Sequence, residues 1–138
     1  MTIEYNNLYT HFILITENRN PSIPEKSRQR IEKYITGIVN NNQSKLYSIY
    51  ANPEHIHLLI SRSPVLSEQS IATIISESTL KFINDNKLCP GRFAWQQSAA
   101  AFSISKASRL IGNKKISFAT EYDSFIKHYQ KTLKWEIR

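Results

Sequence analysis

The chain has little cysteine and no long hydrophobic run, and each scarcity excludes a class of protein. Cys89 is the only cysteine among 138 residues, which excludes an intramolecular disulfide and indicates a reducing compartment. No apolar stretch reaches the roughly 20 residues that a membrane-spanning helix needs, and residues 1–7 are polar rather than signal-like. We therefore expect a cytoplasmic protein without a membrane segment.

Acidic residues are also scarce relative to basic ones. Eleven Asp and Glu residues oppose 18 Lys and Arg residues, which gives a net charge of +7. Such an excess attracts polyanions, and nucleic acid is the first candidate. The length and the 41% hydrophobic fraction are typical of a globular protein, so we predict one domain over residues 1–138.

Periodicity and turn residues predict the order of the structural elements. We expect strands at residues 9–16, 45–51, 55–60 and 93–104, the last with an irregularity, and helices at residues 25–41 and 68–86. Shorter helical pieces follow up to residue 133. The order β-α-β-β-α-β is that of an α+β, ferredoxin-like sandwich, in which two helices cover one face of a four-stranded antiparallel sheet. In the second strand, simple alternation places Leu46, Ser48 and Tyr50 on one face and Tyr47 and Ile49 on the other.

Two histidines flank one isoleucine at the start of the third predicted strand. His55 and His57 point to the same face because side chains alternate along a strand, and their positions are then roughly 6–7 Å apart. Both imidazoles can converge on one divalent cation. The alternative is that both histidines decorate a solvent-facing strand. His11, on the first strand, is expected either to reach the same site or to make a local hydrogen bond.

Together these features resemble the IS200/IS605-type transposases, the single-tyrosine (Y1) members of the HUH endonucleases. The resemblance rests on the element order and on four segments, residues 9–16, 52–60, 93–96 and 101–105. It implies a homodimer that binds hairpin-containing single-stranded DNA. It also implies that His55 and His57 hold Mg²⁺ or Mn²⁺, and that a tyrosine cleaves the strand and leaves a phosphotyrosine link.

One part of the family pattern is missing from this chain. The family carries its tyrosine on the helix after the last strand, with a glutamine four positions later, but residues 105–115 contain neither. Tyr122 is then the candidate nucleophile and Tyr129 the alternative, although core packing would explain both. The basic cluster Lys106, Arg109, Lys114 and Lys115 is expected to contact DNA phosphates. Two hypotheses remain, an active strand transferase and a single-stranded-DNA-binding relative that has lost its nucleophile.

Overall fold

The structure, a computed structural model, describes Met1 and residues 8–104. The described elements, in chain order, are β1 Tyr9–Ile15, α1 Glu25–Asn41, β2 Lys45–Ala51, β3 His55–Ser61, α2 Glu68–Asp85 and β4 Ala100–Ile104. A short 3-10 helix, Glu17–Arg19, follows β1. This order confirms the predicted α+β, β-α-β-β-α-β architecture. The predicted C-terminal helical pieces lie outside the described residues, and the reading of residues 1–138 as one domain stays a prediction.

The four strands form one antiparallel sheet with the order β2-β3-β1-β4. The histidine-bearing strand β3 is therefore central and pairs with β1 on one side and β2 on the other. In the β1–β3 register, Ile13 lies opposite His57 and Ile15 lies opposite His55. Because the two histidines sit on an interior strand, backbone hydrogen bonds on both sides fix their positions.

Both helices pack against one face of this sheet. Their buried faces consist of isoleucine and valine at helical spacing, and they meet the alternate residues of the central strands in one hydrophobic core. The core includes Ile31, Ile35 and Val39 of α1, Ile71, Ile75 and Ile83 of α2, and Phe12, Leu14, Ile56, Leu58 and Ile60 of the sheet. The histidines alternate with Ile56 and Leu58, so they project from the opposite face.

Local sequence explains where the helices begin. Ser67 precedes α2 in an extended conformation, and its hydroxyl accepts a hydrogen bond of 3.0 Å from the backbone N–H of Ser70, as an N-cap does. Pro24 precedes α1 and is also extended, which suits a residue that cannot donate a backbone hydrogen bond. These two residues place the helices where the sequence predicted them.

A bulge in β2 makes the predicted alternation of that strand wrong. Leu46 pairs with Ile60 and Ser48 pairs with Leu59, so Tyr47 is the extra residue between them. Leu46 consequently packs on the helix side together with Ile49. Tyr47 packs on the histidine side against Tyr9, with ring centroids 5.2 Å apart. The extra residue thus keeps apolar side chains in the core and moves an aromatic ring to the other face.

The predicted fourth strand is also shorter than expected. Strand β4 covers Ala100–Ile104, whereas Trp95 forms only an isolated bridge with Thr16. Phe93 is buried in the core, and its backbone N–H donates to the side chain of Asn84 at 2.8 Å. The segment before β4 is therefore held by α2 and by the end of β1 rather than by strand pairing.

Candidate metal centre

Three histidines meet on the sheet face opposite the helices. His57 and His55 come from β3 and His11 from the neighbouring strand β1, and their side chains belong to residues only 4%, 7% and 0% exposed, respectively. Because β1 pairs with β3, His11 lies beside the histidine strand and its ring reaches His57. The idea that the pair merely decorates a solvent-facing strand is wrong, because all three residues are buried.

The rings form a chain of short nitrogen–nitrogen contacts. Nε2 of His11 lies 3.0 Å from Nδ1 of His57, and Nε2 of His57 lies 3.0 Å from Nε2 of His55. On the outer side of His55, Nδ1 lies 3.0 Å from the Oε1 atom of Glu54. The Nδ2 atom of Asn52 lies 3.1 Å from Nε2 of His55. The turn before β3 therefore supplies two polar partners to the first histidine of the motif.

The carboxylate of Glu54 sets the direction of these hydrogen bonds. A carboxylate only accepts, so Nδ1 of His55 carries the proton and, in the neutral ring, Nε2 offers a lone pair. That lone pair accepts from Asn52 and from an Nε2–H of His57. Nδ1 of His57 is then an acceptor, and Nε2–H of His11 donates to it.

Burial keeps the two motif histidines neutral. It lowers the pKa of His55 to about 4, with smaller coulombic contributions from Arg19 and His11. Burial also lowers the pKa of His57 to about 2, with His55 and His11 adding to the effect. Only a neutral imidazole can bind a metal ion, so both rings are in the required charge state at neutral pH.

The nitrogen pair fits two ligands of one cation. With nitrogen–metal distances of about 2.1 Å, a separation of 3.0 Å between the two Nε2 atoms corresponds to an angle of about 90° at the metal. That angle separates adjacent ligands in octahedral coordination. Within residues 8–104 no group of three or more His, Cys, Asp or Glu side chains is arranged to hold a metal ion. The geometry is compatible with the predicted metal ligands His55 and His57, and that assignment stays a prediction.

Sequence reasoning missed three residues around the pair. No role was predicted for Glu54 or Asn52, yet both contact His55. Arg19 lies close enough for its charge to lower the pKa of His55, and it occupies the left-handed region of backbone conformation with φ of 54°. The preceding Asn18 has φ of 56°. Left-handed backbone at two successive non-glycine residues is energetically costly. No pattern in the sequence predicted it.

The sequence also offers Tyr47, Tyr50, Phe93 and Trp95 as aromatic residues that could stack on unpaired bases from the open sheet face, and the structure separates them into two groups. Phe93 and Trp95 pack edge to face in the helix-side core, with ring centroids 4.8 Å apart, and the indole N–H of Trp95 donates to the carbonyl of Ser76. Tyr47 packs with Tyr9, and the guanidinium of Arg28 lies 5.2 Å from the ring centroid of Tyr50. Among these four, Phe93 and Trp95 are therefore structural.

The remaining predicted site residues lie outside the described part of the chain. They are the tyrosines Tyr122 and Tyr129 and the basic residues Lys106, Arg109, Lys114 and Lys115. Within residues 8–104, no helix is both long and apolar enough for a membrane span.

Comparison with known families identifies the chain. The family model described as "Transposase IS200 like" matches residues 4–117. The chain belongs to the IS200-like transposase family. The match covers every described element, including the paired histidines, and it confirms the resemblance that the sequence suggested. Because it belongs to this family, the chain is a transposase-like protein. The family is a Y1 transposase family and generally depends on divalent metal ions. No curated protein matches it.

Two solved structures share the fold of this IS200-like protein. A protein of Deinococcus radiodurans R1, described as a candidate transposase, superposes with a TM-score of 0.67 at 16% identity, covering 88% of this chain and 95% of its own. A REP-associated tyrosine transposase bound to a REP hairpin superposes with a TM-score of 0.54 at 15% identity, covering 93% of this chain and 73% of its own. At these identities the likeness establishes the fold.

Proposed function

We propose that this IS200-like protein binds hairpin-containing single-stranded DNA and cleaves and rejoins it with a divalent cation held by His55 and His57. The observation that carries the proposal is the 3.0 Å approach of two buried Nε2 atoms, each on a ring that burial keeps neutral. A bound cation would act as a Lewis acid on the scissile phosphate. The hairpin-bound REP-associated transposase supports hairpin DNA as the partner.

The residues around the pair suit phosphate chemistry. Glu54 holds the His55 ring through Nδ1 and thereby directs Nε2 toward the cation. In the family this chain resembles, a glutamine completes the metal site, and Asn52, which lies beside His55, carries the same amide group. Arg19 adds a fixed positive charge near the site, which would favour a phosphate there. These assignments extend the proposal from the motif to its surroundings.

The proposed nucleophile is Tyr122, with Tyr129 as the alternative. Tyrosine suits reversible cleavage because its phenolate is a better leaving group than an alkoxide, so a DNA end can later attack the phosphotyrosine link. Neither position matches the family's usual one, since residues 105–115 have no tyrosine. The second candidate function follows from that gap, namely a single-stranded-DNA-binding relative without a nucleophile.

The DNA contacts are assigned to the basic cluster Lys106, Arg109, Lys114 and Lys115. The net charge of +7 supports a polyanionic partner. A homodimer and a cytoplasmic location belong to the same proposal. Sedimentation at micromolar concentration tests the first, and a monomer would contradict it.

Covalent trapping tests catalysis and separates the two functions. The protein is incubated with hairpin-flanked single-stranded DNA and Mn²⁺, and a covalent adduct is expected that Tyr122→Phe eliminates. Tyr34→Phe is the matched control, because Tyr34 stacks on Phe82 between the helices with ring centroids 3.8 Å apart. An adduct that survives both Tyr122→Phe and Tyr129→Phe would show that the nucleophile is elsewhere. DNA binding without any adduct would favour the binding-only relative.

Metal binding is tested separately from catalysis. His55→Ala combined with His57→Ala should abolish Mn²⁺ binding in calorimetry while circular dichroism shows an intact fold. Asp85→Ala is the control, since this carboxylate is exposed and pairs with Lys81 far along α2. Unchanged Mn²⁺ affinity in the double variant would refute the metal site.

A further inference from the structure

His11 contacts the side of His57 that faces away from the proposed cation. Its Nε2 atom lies 3.0 Å from Nδ1 of His57, whereas Nε2 of His57 faces His55. An imidazole has two nitrogens, and a cation between His55 and His57 takes the second one. His11 therefore does not share that cation, which agrees with the lack of a three-residue metal group within residues 8–104.

Metal binding would determine which ring nitrogen of His57 carries the proton. In the metal-free chain of hydrogen bonds, His57 carries its proton on Nε2, and His11 donates to its Nδ1. A cation on Nε2 needs the lone pair there, so the neutral ring must carry its proton on Nδ1 instead. In the 3.0 Å contact, Nδ1–H of His57 must then donate the hydrogen bond and Nε2 of His11 must accept it.

We propose that His11 is a positioning residue whose Nε2 accepts the hydrogen bond from Nδ1–H of His57 and so holds His57 in its metal-binding tautomer. The inference rests on the proposed cation between His55 and His57. In that arrangement the lone pair of His11 Nε2 faces Nδ1–H of His57 across the 3.0 Å contact.

Burial makes the acceptor necessary. His11 is 0% exposed and His57 is 4% exposed, so water has little access to the contact between them. A buried N–H without an acceptor is costly, and the cost would fall on the metal-bound state alone. Hydrogen bonds to metal-ligating histidines usually have this role, and their removal weakens metal binding roughly 10- to 100-fold.

The test combines Mn²⁺ affinity with a direct measurement of the tautomers. His11→Phe keeps a ring but removes the acceptor, and the Kd for Mn²⁺ is expected to rise roughly 10- to 100-fold. His11→Gln places an amide near the lost Nε2 atom and should restore the affinity. Phe102→Leu is the packing control, because its ring centroid lies 6.0 Å from that of His11 and it carries no polar group. Its affinity should match the wild type.

Nitrogen-15 NMR of the wild-type protein gives a second measurement that does not depend on how the variants fold. On addition of diamagnetic Zn²⁺, the proton of His57 is expected to move from Nε2 to Nδ1. An unchanged His57 tautomer, a metal-shifted His11 Nε2, or an unaltered Kd in a folded His11→Phe protein would overturn the proposal. Wild-type protein that binds neither metal would overturn it together with the metal site. Metal binding with no hairpin binding would contradict only the proposed DNA function.

Discussion

Acidification from pH 7 to pH 5 is expected to destabilise the metal-free protein through His55 and His57. In the folded state burial lowers the pKa of both rings, to about 4 and about 2, from an ordinary value of 6.5. The unfolded chain therefore takes up protons that the folded chain does not. The histidine contribution to stability is complete above pH 6.5 and is lost progressively as the pH falls toward the folded values.

The size of the loss follows from the unfolded state. At pH 5 each unfolded histidine is about 1.5 pH units below its pKa, and each unit corresponds to about 1.4 kcal/mol. Protonation thus stabilises the unfolded chain by about 2 kcal/mol per histidine, or about 4 kcal/mol for the pair. That is a large part of the 5–15 kcal/mol that is typical of a domain.

Urea unfolding in EDTA, followed by circular dichroism at pH 7 and pH 5, measures this loss. A variant with both His55→Gln and His57→Gln removes the two titrating rings and serves as the reference for all other groups. The wild type should lose about 4 kcal/mol more than this variant between the two pH values. Equal losses would refute the argument that buried, neutral histidines make the folded state acid-sensitive.

Three further predictions concern core packing, the N-cap of α2 and the buried cysteine. Leu58→Ala removes a 0% exposed core side chain beside His57 and should lower the free energy of unfolding by about 2–5 kcal/mol in urea titrations; a smaller loss would contradict the packing described. Ser67→Ala removes the N-cap of α2 and should cost about 1 kcal/mol, with Ser78→Ala as an in-helix control that costs less. Burial raises the pKa of the Cys89 thiol to about 11, so at pH 8 only about one thiol in a thousand is ionised; labelling by iodoacetamide should be far slower in folded than in urea-unfolded protein.

Sequence patterns located most of the fold because local signals and long-range packing agree. Pro24 and Ser67 stand directly before the two helices, and isoleucine at helical spacing forms their buried faces. The histidine strand was recognised because two imidazoles alternate with buried Ile56 and Leu58. These features depend on residues within one element, so a single sequence contains them.

The errors occur where two elements decide the outcome together. The bulge at Tyr47 depends on the register between β2 and β3, and simple alternation within β2 could not reveal it. The strength of the Glu54 and Asn52 contacts depends on side-chain conformations in a turn, and the orientation of His11 depends on the pairing of β1 with β3. Hydrogen-bond partners across strands therefore had to come from the structure.

The central position of β1 and β3 has a consequence for how the site fluctuates. Strands β2 and β4 are the edges of the sheet, so they can open locally while the interior pair stays bonded. His11, His55 and His57 all belong to the interior pair. Backbone amides of β1 and β3 should exchange with deuterium only through global unfolding. Treatment with a chelator should leave the arrangement of the three histidines intact. The geometry of the proposed cation site is then as stable as the folded sheet itself.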